Sequence, residues 1–160
     1  MIPTPQEKAD LYRLTLAQIM AAIEDETDPI ALMAGVVCVL KTTLPHVSWA
    51  GFYRTNPHQQ EELVIGPYQG SLAAPRIAFG QGVCGTCAEV GLPVIIPDLR
   101  DDRESESCHS RAVSEIALPV FDQHGHLCAV LDLDSLDLDA FQDEDCEGLE
   151  AILEAIRLKL

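Results

Sequence analysis

The spacing of apolar side chains changes along the chain, and each change marks a new predicted element. Over residues 5–26 the apolar positions fall near a 3.6-residue repeat, which predicts an amphipathic helix. Residues 30–44 are apolar on nearly all sides, which predicts a buried helix, and we expect Cys38 to pack in the core there. The apolar stripe of the first helix consists of Leu11, Leu14, Ile19, Met20 and Ile23.

Beyond residue 46 the repeat shortens to two residues, which is typical of strands. The predicted elements are strands over 47–54, 62–66, 76–79, 92–96, 115–121 and 127–133, a short helix after the glycine-rich turn at 80–85, and a last helix from residue 141. This order predicts an α+β fold, in which an antiparallel sheet carries helices on one face and long loops on the other. No linker or repeat interrupts the pattern, so we expect a single domain over residues 1–160.

Composition narrows the classes of function. The 160 residues carry a formal net charge of −16, which disfavours binding to nucleic acid or to an anionic membrane. The first residues lack a basic segment followed by an apolar one, so no secretory signal is expected. Six cysteines without such a signal favour reduced thiols and a cytoplasmic location.

Cys108 lies at the end of a highly polar segment, residues 101–107. Structural cysteines are usually found inside apolar runs, where the thiol acts as a small hydrophobic group. An accessible thiol next to a positive group has the thiolate character that nucleophilic chemistry requires, and His109 and Arg111 are the nearby candidates. The other interpretation is a surface cysteine without a role.

Cys84 and Cys87 have the C-x-x-C spacing directly after a glycine-rich turn. That turn is too short for a dinucleotide fingerprint and is better explained as the entry to a helix. The positive end of the helix dipole would then stabilise a thiolate at Cys84. A zinc site would need a second pair of ligands, which the five histidines do not supply, so we expect a redox role and no metal.

Asp132 and Asp134 alternate with leucines near the end of a strand, so their side chains share one face of the sheet. Glu115 begins the neighbouring strand of the same hairpin. Three converging carboxylates would raise at least one pKa and form a site for a cation or a proton donor, unless that face is open to solvent. With Trp49 and Tyr53 on the first strand, the group would suit a small ligand with an ammonium group and an apolar tail.

Taken together, these residues resemble a GAF domain, and more narrowly the free methionine-(R)-sulfoxide reductases. The matching segments run in family order over 49–53, 66–70, 76–85, 114–119, 130–135 and 141–145. The resemblance implies a cytosolic enzyme that reduces free L-methionine (R)-sulfoxide and is regenerated by thioredoxin. It also implies a ligand pocket on the sheet face opposite the helices, with the N-terminal helix as an extension of the domain.

The resemblance assigns roles to individual residues. Cys108 matches the catalytic cysteine and Cys84 the resolving cysteine. The substrate-binding matches are Trp49, Tyr53, Glu115, Asp132 and Asp134. Many members carry a further cysteine where this chain has Ala74, and Cys87 is the candidate for an auxiliary thiol in its place.

The implied chemistry needs no metal or organic cofactor. The Cys108 thiolate attacks the sulfoxide sulfur while one of the three carboxyl groups protonates its oxygen, and Cys84 then closes a disulfide. A GAF module that senses a small molecule or redox state is the alternative, and a thiol-peroxidase-like protein is a third interpretation. The amphipathic N-terminal helix would suit a homodimer.

Overall fold

The computed structural model describes residues 2–100 and 111–160. The elements in chain order are α1 Pro5–Ala22, α2 Pro29–Thr43, β1 Trp49–Thr55, β2 Glu62–Gln69, β3 Arg76–Ala78, α3 Gly82–Val90, β4 Val94–Ile96, β5 Ser114–Phe121, β6 Leu127–Ser135 and α4 Asp143–Ile156, followed by a 3₁₀ turn at Arg157–Lys159. All the predicted helices and strands are present. The two largest differences in length are in α1, which stops at Ala22, and in β2, which continues to Gln69.

The six strands form one antiparallel sheet in the order β3-β2-β1-β6-β5-β4. The larger apolar core lies between one face of this sheet and the helices α1, α2 and α4. The predicted α+β architecture is therefore confirmed. One helix departs from the expected division of the two faces, because α3 packs on the opposite face, where its apolar side chains join a second core around Trp49.

Local sequence signals explain where the first two helices begin. The Thr4 hydroxyl accepts a hydrogen bond from the backbone N–H of Glu7, and the Glu7 carboxylate accepts one from the N–H of Thr4, which is a capping box. Asp28 caps α2 by accepting hydrogen bonds from the N–H groups of Ile30 and Ala31, both at 2.9 Å. These contacts satisfy N–H groups that a helix leaves unpaired at its start.

The apolar stripe of α1 is only partly buried. Leu14 and Met20 are exposed, and the buried face of α1 consists of Lys8, Tyr12, Thr15 and Ile19. A lysine can occupy a buried position only when its ammonium group finds partners that replace water. Its partners lie on α4 and on the segment just before it, which are more than a hundred residues away in the sequence.

Asp145 of α4 is the centre of this buried polar network. Lys8 donates to its carboxylate, the Tyr12 hydroxyl donates to it at 2.9 Å, and Nε2 of His46 lies 3.1 Å from it. Burial by itself would raise the pKa of Asp145, but the contacts with His46 and Lys8 hold it below its usual range. The network fixes α1 to α4 on the side of the sheet away from the candidate site.

Helix α2 is buried along Leu32, Met33, Val36, Val37 and Leu40, as its apolar sequence predicts. The expectation for Cys38 is wrong, because its side chain is exposed. Residue 38 follows the buried pair Val36 and Val37 and is exposed, so one side of this helix faces solvent although the run is apolar. Within the described part of the chain, no helix combines the length and the apolar character needed to cross a membrane.

Candidate active site

Three neighbouring strands bring two of the acidic residues and the tryptophan into one row, with the third acidic residue in the next row. Trp49 on β1 lies opposite Asp134 on β6, and Asp134 lies opposite Glu115 on β5. Residues directly opposite each other in an antiparallel ladder have side chains on the same face. In the next row of that face, Gly51 lies opposite Asp132. The alternation predicted for Asp132 and Asp134 is thus confirmed.

The carboxyl groups of Glu115, Asp132 and Asp134, which together are called the acidic row, are not open to solvent. Glu115, Asp132 and Asp134 are all fully buried, and so is Tyr53. The interpretation of the two aspartates as an ordinary solvent-exposed pair is therefore wrong. Carboxyl groups are seldom fully buried unless they are paired, and groups of buried titratable residues are frequent at functional sites, so this row is the strongest functional candidate in the fold.

The N-terminal turn of α3 adds a thiol to the acidic row. Cys84 is the third residue of α3 and is fully buried, and its Sγ donates a hydrogen bond to Oε1 of Glu115 at 3.8 Å. Its position agrees with the predicted placement of Cys84 near a helix N-terminus, where the dipole favours negative charge. Helix α3 packs on β5 and β6, which is why a turn far away in sequence reaches these carboxyl groups.

Ligand-type atoms of Cys84, Glu115 and Asp132 all lie within 4.8 Å of one another. A thiol and two carboxylates are a donor set that could hold a divalent ion such as zinc. Spacing along the sequence does not reveal this grouping, because the three residues come from three separate elements. The expectation of a metal-free site remains a prediction.

Cys87 lies one helical turn beyond Cys84 and is also fully buried. Burial, together with the nearby charge of Asp132, raises the pKa of Cys87 from 9.0 to about 12. A thiol with such a pKa is almost entirely protonated near neutral pH and is a poor nucleophile. The C-x-x-C pair therefore consists of one thiol hydrogen-bonded to a carboxyl group and a second thiol that resists ionisation.

Trp49 and Tyr53 form an aromatic wall beside the acidic row, and backbone carbonyl groups hold both rings. The Trp49 indole N–H donates to the carbonyl of Ser71, and the Tyr53 hydroxyl donates to the carbonyl of Ala74, each at 2.9 Å. Their ring centroids are 6.3 Å apart with an interplanar angle of 26°. The connection between β2 and β3 thus fixes the wall.

Two glycines make room for the indole ring of Trp49. A Cβ at Gly51 would lie 2.3 Å from the ring, and one at Gly70 would lie 2.2 Å from it. Gly70 also has φ +139°, a conformation that side chains with a Cβ rarely adopt. The position of the Trp49 ring therefore requires glycine at both residues.

Sequence reasoning missed Tyr68. Its ring stacks on Trp49 with a centroid distance of 5.4 Å and an interplanar angle of 19°. The register places Tyr68 opposite Gly51, on the face of the acidic row. The prediction ended the second strand at residue 66, so the alternation that would have shown the orientation of Tyr68 was not followed far enough.

The prediction for Cys108 lies outside the described residues, as do residues 101–110 as a whole. The described residues on either side lead to the acidic row. Leu99 donates its N–H to the carbonyl of Val113, and Val113 in turn donates to the carbonyl of Ser135. The described residues Leu99 and Val113 therefore lie next to the strands that carry Glu115 and Asp134.

Comparison with known proteins points to one family. The model of the family described as GAF domain matches residues 28–160. A free methionine-R-sulfoxide reductase from Escherichia coli is 33% identical over 146 residues, which are 91% of this chain and 86% of that protein.

Solved structures agree with this similarity. A free methionine-R-sulfoxide reductase from Neisseria meningitidis, in complex with its substrate, is 38% identical with a TM-score of 0.88, and the match covers 95% of this chain and 89% of that one. A candidate GAF sensor protein from Burkholderia vietnamiensis is 36% identical with a TM-score of 0.87, covering 94% and 93% of the two chains.

Proposed function

The chain belongs to the GAF-domain family of free methionine-(R)-sulfoxide reductases, and from this we propose that it reduces free L-methionine (R)-sulfoxide by cysteine chemistry. One observation carries the proposal. The thiol of Cys84 donates a hydrogen bond to Glu115 inside a fully buried acidic row. Reduction of a sulfoxide needs a sulfur nucleophile and a proton donor close together, and this row supplies a thiol and carboxyl groups.

In the proposed reaction the thiolate of Cys108 attacks the sulfoxide sulfur, and a carboxyl group of the row protonates the oxygen. The oxygen passes to Cys108 as a sulfenic acid and methionine leaves, so the substrate is reduced and the cysteine is oxidised. Cys84 then attacks the sulfenic sulfur, a disulfide forms, and hydroxide leaves as water. Thioredoxin is proposed as the dithiol that reopens this disulfide by exchange. The assignment of Cys108 rests on the sequence resemblance.

We assign substrate binding to the acidic row and the aromatic wall. Asp134 lies opposite Glu115 on the adjacent strand, and its carboxylate offers negative charge to an ammonium group. The carbonyl oxygen of a protonated Glu115 can accept a hydrogen bond from the same group. Free methionine sulfoxide has that group, whereas a residue inside a peptide does not. Trp49 and Tyr53 would contact the methyl end of the side chain, since aromatic rings favour apolar groups and polarisable sulfur. Asp132, one row further, completes the acidic set.

The proposed molecule is a single domain of residues 1–160, in which α1 extends the GAF core. Helix α1 packs against α2 and α4 and contributes Tyr12 and Ile19 to the main core, which supports one folding unit. The proposed chemistry needs no metal or organic cofactor. A cytoplasmic location and a homodimer remain proposals that follow from the sequence.

A sensor function is the second candidate, and the similarity to the candidate GAF sensor from Burkholderia vietnamiensis supports it. A sensor would bind a small molecule on the same face without consuming it. The buried thiol beside Glu115 favours the enzyme, because simple binding would not need a thiol there.

The test is a steady-state assay with thioredoxin, thioredoxin reductase and NADPH, supplied with pure stereoisomers. We expect NADPH oxidation with free L-methionine (R)-sulfoxide and background rates with the (S) isomer. N-acetyl-methionine (R)-sulfoxide, in which the ammonium group is blocked, should also give background rates. Binding of the free (R)-sulfoxide without any methionine formation would favour the sensor. Equal rates with the acetylated compound would contradict the role given to the acidic row.

A further inference from the structure

The hydrogen bond between Cys84 and Glu115 raises a question about the resolving step. A neutral thiol is a poor nucleophile, so Cys84 must lose its proton before or while it attacks the sulfenic acid. Its side chain is fully buried, and bulk water therefore has no direct path to the thiol proton. A group inside the fold has to accept it.

The hydrogen bond of Cys84 identifies a candidate acceptor. Sγ of Cys84 donates to Oε1 of Glu115 at 3.8 Å, which is within the range of a sulfur hydrogen bond. Asp132 belongs to the same close group, but its charge also acts on Cys87 and contributes to that thiol's resistance to ionisation. Asp132 therefore lies near Cys84 and acts on Cys87 as well, whereas the hydrogen bond of the Cys84 thiol goes to Glu115.

We propose that Glu115 is the general base that takes the proton from Cys84 when Cys84 resolves the sulfenic acid. This inference rests on the proposed function and adds a second task to a residue assigned there to substrate binding. It also identifies Glu115 as the carboxyl group that protonates the sulfoxide oxygen. Once that proton has been given away, Glu115 is ionised, which is the state that a base requires.

The protons and electrons balance over the cycle. In the first step Glu115 gives a proton to the sulfoxide oxygen, and the S–O bond to methionine breaks as the oxygen passes to Cys108. In the second step the proton of Cys84 moves to Glu115, the S–S bond forms and the S–OH bond of Cys108 breaks. The departing hydroxide takes a proton from solvent and becomes water. Glu115 ends protonated, ready for the next sulfoxide, and the two thiols have supplied the two electrons.

The experiment isolates the second step by making the sulfenic acid without methionine sulfoxide. The fully reduced full-length protein is mixed with one equivalent of hydrogen peroxide. When the Cys108 thiolate takes one oxygen of the peroxide, the O–O bond breaks and the departing hydroxide takes the proton of Glu115, so Glu115 is ionised before the second step, as it is after sulfoxide reduction. Samples are quenched at intervals with dimedone, which traps sulfenic acid, and with an alkylating reagent. Mass spectrometry of peptides then gives the rate of disulfide formation between Cys84 and Cys108.

We expect Glu115→Gln to form the sulfenic acid and to close the disulfide at least about 100-fold more slowly, which is the lower end of the contribution of a general base. Its rate should rise about tenfold for each pH unit, because hydroxide must replace the lost base, whereas the wild-type rate should rise less steeply. Glu115→Asp should recover part of the rate, since it restores a carboxylate. Glu89→Gln makes the same change at an exposed position of α3 and should resolve at the wild-type rate.

Different outcomes test the role of Glu115 and the proposed cysteine chemistry separately. Wild-type resolution rates in Glu115→Gln would overturn the role of Glu115 while leaving the proposed function intact. An equally slow Asp132→Asn, with the same steep dependence on pH, would overturn the choice of Glu115 over Asp132. Absence of sulfenic acid on Cys108 in the wild type would overturn the proposed cysteine chemistry and this inference with it. If Glu115→Gln does not fold, Glu115→Asp provides the test, because its shorter side chain holds the carboxylate further from Sγ of Cys84. Disulfide formation at the wild-type rate in Glu115→Asp would contradict the proposal.

Discussion

The raised pKa of Cys87 makes a quantitative prediction about stability at alkaline pH. In the folded protein this pKa is about 12, against an ordinary value of 9.0. Above pH 9 the unfolded chain therefore loses the thiol proton while the folded chain keeps it, so the free energy of unfolding falls as pH rises. Below pH 9 both states hold the proton, and the contribution is fully present. Between pH 8 and pH 10 the loss amounts to about 1.4 kcal/mol.

Replacing Cys87 by alanine removes this contribution. At pH 8 the variant is expected to be less stable than the wild type by about 1 kcal/mol, because it leaves a small void in the buried face. At pH 10 the two free energies of unfolding should be equal, or that of the variant should be the larger, since only the wild type loses about 1.4 kcal/mol from the Cys87 thiol. Urea unfolding at both values measures the two differences, and Cys38→Ala, at an exposed position, is expected to follow the wild type. A gap between wild type and Cys87→Ala that stays constant from pH 8 to pH 10 would refute the reasoning.

The same variant answers a question that the sequence leaves open. A thiol that stays protonated is a poor substitute for the family cysteine missing at Ala74, so the cycle is expected to use Cys108 and Cys84 alone. Cys87→Ala should turn over continuously with thioredoxin, at a rate within about threefold of the wild type. A stall after one methionine per protein would mean that Cys87 has taken the missing role.

Three further predictions concern other parts of the molecule. Asp145→Asn leaves the buried ammonium of Lys8 without its counter-ion and should lower the free energy of unfolding, measured in urea, by about 3–5 kcal/mol. Because the pKa of Asp145 is lowered in the fold, the wild type should also lose stability as pH falls below about 4, and the variant should lose less. Gly51→Ala puts a Cβ 2.3 Å from the ring of Trp49, so the fluorescence of the single tryptophan should shift and KM should rise about tenfold; an unchanged spectrum would contradict the tight fit. Asp132→Asn should reduce turnover about 100-fold, with a melting temperature within a few degrees of the wild type, and full activity would remove Asp132 from the site.

The acidic row could be predicted from the sequence because a strand has a fixed period. Alternation alone placed Asp132 and Asp134 on one face, and the hairpin brought Glu115 to the same face. The contact of Cys84 with Glu115 was not predictable in this way. It depends on how α3 packs across β5 and β6, and no local pattern encodes that packing.

The buried face of α1 could not be predicted from the spacing of apolar residues. Leu14 and Met20 belong to the apolar stripe of this helix and are exposed, whereas Lys8 is buried. The reason lies in α4, where Asp145 supplies a partner that makes a buried ammonium group tolerable. A periodicity argument treats lysine as a surface residue and cannot find such a pair, because its two members are far apart in the sequence.

The central claim is that Cys108 attacks the sulfoxide and Cys84 resolves the product. Single-turnover reduction, with dithiol-reduced protein, excess free L-methionine (R)-sulfoxide and no thioredoxin, tests it most directly. The wild type should release one methionine per protein and end with a disulfide between Cys84 and Cys108. Cys84→Ser should also release one methionine and end as a sulfenic acid that dimedone traps, whereas Cys108→Ser should release none. Methionine formation by Cys108→Ser at the wild-type rate would contradict the account.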